Sequence, residues 1–186
     1  KKNVKTGDDL LGLIKNMSEF YHSYNNPILN LYPAVFLRGL VRSDIKIEDF
    51  DSQSKMNELC EYLNHYLIDH AENYNIKEAK NYKGEVKYNP ENSKYSFILH
   101  LNDEEHVVLT PNIIKSSEYK RLKSSYPLIR DFLIEETDGL LLETDTEKYE
   151  INSFDKLQKI IDERGQKGLQ IQRFKGLGEM MPQQLW

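Results

Sequence analysis

From Asp51-Ser52 onward, Met56, Leu59, Leu63, Leu67, His70 and Tyr74 recur every three or four residues, while most positions between them are charged or amide. That period puts a single apolar stripe along one long helix, and a one-faced helix of this kind is stable only when its stripe is covered by a second layer of structure. The chain must therefore supply that layer. A second helix of the same type is expected from Thr6, where a threonine cap and acidic first-turn residues precede Leu10, Leu13, Ile14, Met17, Phe20, Tyr21 and Tyr24. Asn25-Asn26-Pro27 ends it. The nearly apolar run Ile28 to Val41, restarted at Pro33, reads as short buried helices.

After Tyr82-Lys83-Gly84 the period changes from helical to alternating, with E-V-K-Y at Glu85 to Tyr88, K-Y-S-F-I-L-H-L at Lys94 to Leu101 and H-V-V-L at His106 to Leu109. Asn102-Asp103 suggests a tight hairpin, and a four-residue N-D-E-E loop fits as well. Thr110-Pro111, Ser117-Glu118 and Tyr126-Pro127 look like helix starts. G-L-L-L-E-T and K-Y-E-I around Asp145-Thr146 read as a second hairpin. Ser153 caps a last helix carrying Phe154, Leu157, Ile160 and Ile161, which ends near Gly165 or Gly168. L-Q-I-Q then alternates as a strand. Helices separated from antiparallel strands make the fold class α+β, with several amphipathic helices packed on small antiparallel hairpins.

Composition narrows the function. With 39% hydrophobic residues and 11% aromatic, the 186 residues are too apolar for a disordered chain despite 30% charge. A formal charge of -5 repels a phosphate backbone, so the chain as a whole is no general nucleic-acid clamp. Cys60 is the single cysteine, which fits a reducing compartment; the cytoplasm is the expected location. No apolar run reaches the roughly 18 residues that a spanning helix needs, so no membrane partner is expected, and Lys1 reads as an excision boundary.

Candidate chemistry is sparse. The five histidines and Cys60 form no metal-ligand spacing, and His65 and His70 lie on different sides of their helix. Asp49-Phe50-Asp51 is the one D-x-D resembling a magnesium pair after the N-terminus, but its place just before a helix favours capping. Asp103-Glu104-Glu105 and Glu135-Glu136 read as solvated charge. No nucleophile motif and no glycine-rich phosphate loop of the known spacings occurs, so no residue is assigned a catalytic role and none a metal.

The end of the chain differs. In Arg173-Phe174-Lys175-Gly176-Leu177-Gly178-Glu179, two glycines one residue apart follow a strand and expose backbone amides beside a lysine. Such a turn holds a phosphate or a carboxylate, or is a plain strand-to-helix connection in which Lys175 meets solvent. Pro182 opens a further helix.

The stretch L-Q-I-Q-R-F-K-G-L-G-E-M-M-P-Q-Q-L-W resembles the signature R-Y-K-G-L-G-E-M-N-P-x-x-L-W of the B subunits of bacterial type IIA topoisomerases, DNA gyrase B and its topoisomerase IV counterpart. Phe174 stands in place of the usual tyrosine and Met181 in place of the usual asparagine. The Tyr32-Pro33 break, E-Y-K-R-L at Glu118 to Leu122 and S-F-D-K-L-Q-K-I-I-D-E-R-G-Q-K-G-L at Ser153 to Leu169 are similar to an insertion that Gram-negative gyrase B subunits carry inside their TOPRIM domain. Resemblance is strong at the C-terminal end and weak through Lys46 to His106.

The resemblance implies a division into 1–168, the insertion domain, and 169–186, the return segment of the TOPRIM domain with its strand, K-G-L-G-E turn and helix start. It implies a parent enzyme that hydrolyses ATP and introduces negative supercoils, needing Mg²⁺ and ATP. It also implies as partners the A subunit, the other B-subunit domains and DNA in an A2B2 assembly. The acidic E-G-D and D-x-D-x-D-G segments that hold the metal, and the ATPase motifs, do not occur in these 186 residues. No cofactor is therefore expected in the fragment, which alone should be inactive. Arg173, Lys175, Gly176, Gly178 and Glu179 match the signature and carry over as DNA-proximal or TOPRIM-supporting residues. Residues 1–168 hold 23 basic and 29 acidic side chains, and 169–186 two and one, so the acidic insertion is expected to face protein rather than DNA. An autonomous interaction domain of unrelated function, a B subunit of topoisomerase IV, and a nuclease-like fragment using Asp49 and Asp51 with magnesium are the alternatives.

Overall fold

Strands and helices follow in the order expected of an α+β chain, with one strand added at the N-terminal end. The computed structural model describes residues 4–137, 139–165 and 168–174. In chain order the elements are β1 (Val4–Thr6), α1 (Gly7–Ser23), α2 (Ala34–Arg42), α3 (Gln53–Asn73), β2 (Tyr82–Asn89), β3 (Lys94–Leu101), β4 (Glu104–Leu109), α4 (Pro111–Lys115), α5 (Ser117–Ile129), β5 (Gly139–Glu143), β6 (Lys148–Ile151), α6 (Phe154–Arg164) and β7 (Gln170–Phe174). Short 3-10 turns lie at Ile47–Asp51, Lys77–Asn81, Arg130–Phe132 and Ile134–Glu136. The chain forms two compact units: residues 23–124 are contiguous, and the described residues of 1–22 and 125–186 make the other.

In the contiguous unit α3 is the organising element. Ser52 accepts a hydrogen bond from the Lys55 N–H at 3.2 Å and so caps the helix. Its stripe Met56, Leu59, Leu63, Tyr66, Leu67 and His70 is buried as the spacing requires, whereas Tyr74 is the C-cap and stays 38% exposed. Each fully buried large side chain contributes roughly 1.5–3 kcal/mol, so this stripe outweighs the modest helix propensity of a sequence rich in asparagine and histidine. Pro33, extended at φ -60° and ψ 142°, is the N-cap of α2. Gly39 lets α2 approach α3: a Cβ there would come within 2.8 Å of the Tyr66 ring, and the Tyr62 hydroxyl donates to the Gly39 carbonyl at 3.2 Å. The last carbonyls of α2 find donors on α5, Leu40 from the Tyr119 hydroxyl and Val41 and Ser43 from the Lys123 ammonium. Burial pulls the Lys123 amine below its ordinary value.

The second layer of this unit is the antiparallel meander β2-β3-β4. Asn102 and Asp103 both have positive φ, 51° and 69°, and Leu101 pairs directly with Glu104, so the hairpin uses the two-residue loop rather than the four-residue one. Phe97 is fully buried and lies over Gly84, where a Cβ would sit 2.1 Å from its ring. The outward backbone of Gly84 is met by a side chain: its N–H donates to Asn64 Oδ1 at 2.6 Å and its carbonyl accepts from Asn64 Nδ2 at 3.1 Å. Phe36 links the layers, 5.6 Å from Phe97 and stacked on Tyr32, whose hydroxyl donates to the Val108 carbonyl at 2.8 Å.

The discontinuous unit holds a four-stranded antiparallel sheet in the order β1-β7-β5-β6. Leu140, Leu142, Ile151 and Ile171 share its buried face through the pairs Leu140↔Ile151 and Leu142↔Ile171. Ser153 caps α6 by accepting from the Lys156 N–H, and Gly165 ends it at φ 71°. α1 buries Leu10, Leu13, Ile14, Met17 and Phe20, and Tyr21 stacks on Phe154 of α6 at 5.2 Å.

Three expectations change. β1 precedes α1, because three residues can form a strand when a distant partner is in register; Val4 pairs with Gln172 and Thr6 with Gln170. Tyr126-Pro127 does not start a helix, since Pro127 lies inside α5, two residues before its end. Glu135-Glu136 is not free surface charge: Glu136 is 7% exposed, and Glu135 accepts from the Tyr21 hydroxyl at 2.8 Å.

Gly84→Ala should lower the unfolding free energy by about 1–3 kcal/mol, read from urea denaturation, because the new methyl overpacks the Phe97 ring. An unchanged midpoint would mean that the ring can yield. Burial pushes the Tyr32 hydroxyl up to about 12 and raises that of Tyr119. An unfolded tyrosine ionises near pH 10, so the stability these groups add is complete below about pH 10 and is lost as pH rises through their folded values. Tyr32→Phe should flatten the decline of the urea midpoint between about pH 10 and 12.

Candidate functional site

Of the five residues carried over from the signature, Arg173 is in β7, and Lys175, Gly176, Gly178 and Glu179 lie outside the described residues. Arg173 pairs directly with Leu140, which is fully buried, so its side chain stands on the same face of the sheet as Leu140, Leu142 and Ile171. Its side chain is 20% exposed, and its Nη1 lies 3.6 Å from the Asp131 carboxylate in the Arg130–Phe132 turn. The Nε is shut off from solvent and has no acceptor among the described residues. Asp131 itself is more than half exposed.

The turn that carries Asp131 is held on both sides. Phe132 and Leu133 are buried, and the next N–H, of Ile134, donates to the Tyr21 hydroxyl at 3.2 Å. Tyr21 donates its own proton to Glu135, so an aromatic of α1 fixes the backbone after Asp131 from two directions. Sequence reading missed Asp131. The available signal was Arg173 itself, two residues after Ile171 in an alternating strand and therefore placed on an apolar face where a guanidinium requires a partner.

A polar cleft of about 390 Å³ opens where β1 meets α1, lined among others by Thr6, Gly7, Glu143, Asp145 and Gln170. Gln170 reaches Glu143 at 3.4 Å across the β7-β5 pair. Next to β6, Glu147 accepts from the Arg164 guanidinium at 2.7 Å and from the Tyr149 hydroxyl, and these bonds hold its carboxyl below the ordinary range.

The other sequence candidates are structural. Asp49 Oδ2 accepts from the Lys46 N–H at 2.9 Å and thus caps the Ile47–Asp51 turn; Phe50 between the two acids is fully buried, and Asp51 pairs with Lys94. The two carboxylates of D-x-D are committed to different partners. His70 is stacked between Tyr66 and Tyr74, at 3.8 and 4.6 Å, and its Nδ1 meets the Tyr66 carbonyl at 2.9 Å. His100 pairs with Glu85 at 2.8 Å, and His22 with Ser18 at 3.3 Å. Among the described residues no three histidine, cysteine or acidic side chains converge on one point, and no helix is long and apolar enough to cross a membrane.

Residues 166–186, beginning ahead of β7 and including Gly176 and Gly178, match the family described as the DNA gyrase B subunit, carboxyl terminus. The chain is thus similar to type II topoisomerase B subunits, through its C-terminal segment and at low identity elsewhere along its length. It is 22% identical over 186 residues, 97% of the chain, to the B subunit of the type 2 topoisomerase of Aquifex aeolicus. It is 27% identical over 134 residues, 67% of the chain, to the DNA gyrase B subunit of Rickettsia bellii. The chain spans 20% of the first relative's length and 16% of the second's. The described part of the family match contains strand β7, with Arg173 near its end.

Asp49→Ala should lower the unfolding free energy by about 1 kcal/mol through loss of the cap, by the same amount with and without added magnesium. A magnesium-dependent rise in melting temperature that disappears in Asp49→Ala would instead assign the D-x-D pair to a metal.

Proposed function

We propose that the chain is an accessory lobe of a gyrase-type B polypeptide, in which residues 1–168 are an insertion and residues 169–186 return the chain to the TOPRIM domain. The observation that carries this reading is the antiparallel pairing of Val4–Thr6 with Gln170–Gln172. An insertion must leave its host and rejoin it at nearly one place, and a strand pair puts the two crossing points about 5 Å apart. Everything between residues 7 and 169 can then be added to a host without moving it. The family match at residues 166–186 and the low overall identity to both relatives fit a lobe whose surface is freer to vary than the segment that rejoins the host.

The parent enzyme on this reading is an ATP-hydrolysing type IIA topoisomerase that introduces negative supercoils in the cytoplasm, as an A2B2 complex on DNA. ATP and Mg²⁺ are held by segments outside these residues; the fragment contributes no ligand to either and is inactive alone. Its partners are the A subunit and other B-subunit domains. Charge supports a protein-facing role: 29 acids against 23 bases in residues 1–168 repel phosphate at close range. The acidic hairpin tip Asp103, Glu104 and Glu105 is exposed, as a surface meeting a basic protein patch would be. The lobe then acts as a buttress that also steers DNA by excluding it from one path.

Titrating duplex DNA into the isolated chain at low salt should give no binding at micromolar concentrations, followed by fluorescence anisotropy of the DNA. Micromolar binding that weakens steeply with salt would overturn the protein-facing role. In the full-length B polypeptide, replacing residues 7–169 by an Asn-Gly turn to close the β1-β7 pair should spare ATP hydrolysis, assayed without DNA, and reduce supercoiling.

A further inference from the structure

Arg173 is the first residue of the matched signature, and its surroundings are not those of a phosphate-contacting arginine. Such a residue presents its guanidinium to solvent, where the backbone of a duplex can reach it. Here the side chain stands on the buried face of the sheet beside Leu140, is 20% exposed, and ends against one carboxylate, that of Asp131. The charge at the head of the signature is already engaged from within the lobe. The carboxylate comes from a turn that is itself fixed, with Phe132 and Leu133 buried and Ile134 tied to Tyr21.

We propose that Asp131 and Arg173 are a positioning pair: the lobe uses the Asp131 carboxylate to fix the guanidinium, and thereby holds the end of β7 from which Lys175 to Glu179 follow in sequence. This rests on the reading of residues 169–186 as the return to a catalytic domain. The magnitudes favour geometry over stability. An ion pair with one half-exposed partner contributes little net free energy, so the bond is a poor brace. A planar guanidinium with its Nε enclosed, however, has few orientations open to it, and one carboxylate on a rigid turn is enough to choose between them. Without Asp131 the guanidinium would have to leave the apolar face to find water, and the end of β7 would move with it.

Two measurements test the pair. In the 186-residue chain labelled with 15N-arginine, the Arg173 Nε–H, assigned by its disappearance in Arg173→Lys, should exchange slowly with water. Asp131→Asn should speed that exchange about tenfold or more while the melting temperature stays nearly constant, and Asp131→Glu should restore slow exchange. Unchanged exchange in Asp131→Asn would overturn the pairing. In the full-length B polypeptide assembled with its A partner, Asp131→Asn should lower kcat for strand passage about tenfold and leave KM for DNA within about twofold, as a displaced reacting group does. A raised KM with unchanged kcat would make Arg173 a DNA contact and end the proposal. Should the wild-type assembly pass no strands at all, the topoisomerase reading falls, while the exchange result still decides the pair.

Discussion

Backbone hydrogen bonds between two stretches far apart in the sequence hold the discontinuous unit together. β1 is three residues long and could not persist alone; it exists because β7 offers a row of backbone groups in register, and β7 is in turn secured by β5 on its other side. The entropy lost in bringing these segments together is offset by the buried face they share, Ile171 against Leu142 and Leu142 near Leu140. Once that sheet is closed, the path of everything between is constrained at both ends. The chain leaves this unit after α1 and re-enters it within α5, and residues 23–124 form the contiguous unit.

Local pattern revealed the elements whose causes are local. The α3 stripe, the Ser52 and Ser153 caps, the Asn102-Asp103 hairpin and the alternation of L-Q-I-Q each follow from residues within a few positions of one another, and each is present. What escaped had distant causes. Three residues carry no readable strand period, so β1 was invisible without its partner. Pro127 looked like a start because proline so often opens a helix, yet the apolar series Tyr119, Leu122, Tyr126, Ile129 keeps helical spacing across it and favours continuation. The bond from Tyr21 to Glu135, beside the buried Glu136, joins residues more than a hundred positions apart. No window along the chain could have paired them.

The candidate site was legible in a different way. The K-G-L-G-E stretch announced itself by rarity, since two glycines beside a lysine after a strand serve few purposes, and the family match falls there. Of its marked residues the described structure holds Arg173, and it adds what the motif did not contain, the Asp131 carboxylate from a turn far upstream. The remaining chemistry-like groups dissolved into architecture. Asp49 caps a turn, His70 fills a slot between two tyrosines, and Lys123 closes the end of α2. A lobe whose polar groups are spent on holding its own shape is suited to positioning something else.

The amide of Asn64, bonded to both the N–H and the carbonyl of Gly84, occupies the place that the backbone of a neighbouring strand would take beside β2. A side chain is thus standing in for a strand. Because the mimic is anchored on a helix of the same unit, β2 is closed to recruitment by a second copy at the point where a glycine would otherwise leave it most accessible. Two copies brought close together can then stay separate, without their meanders fusing into a continuous ribbon.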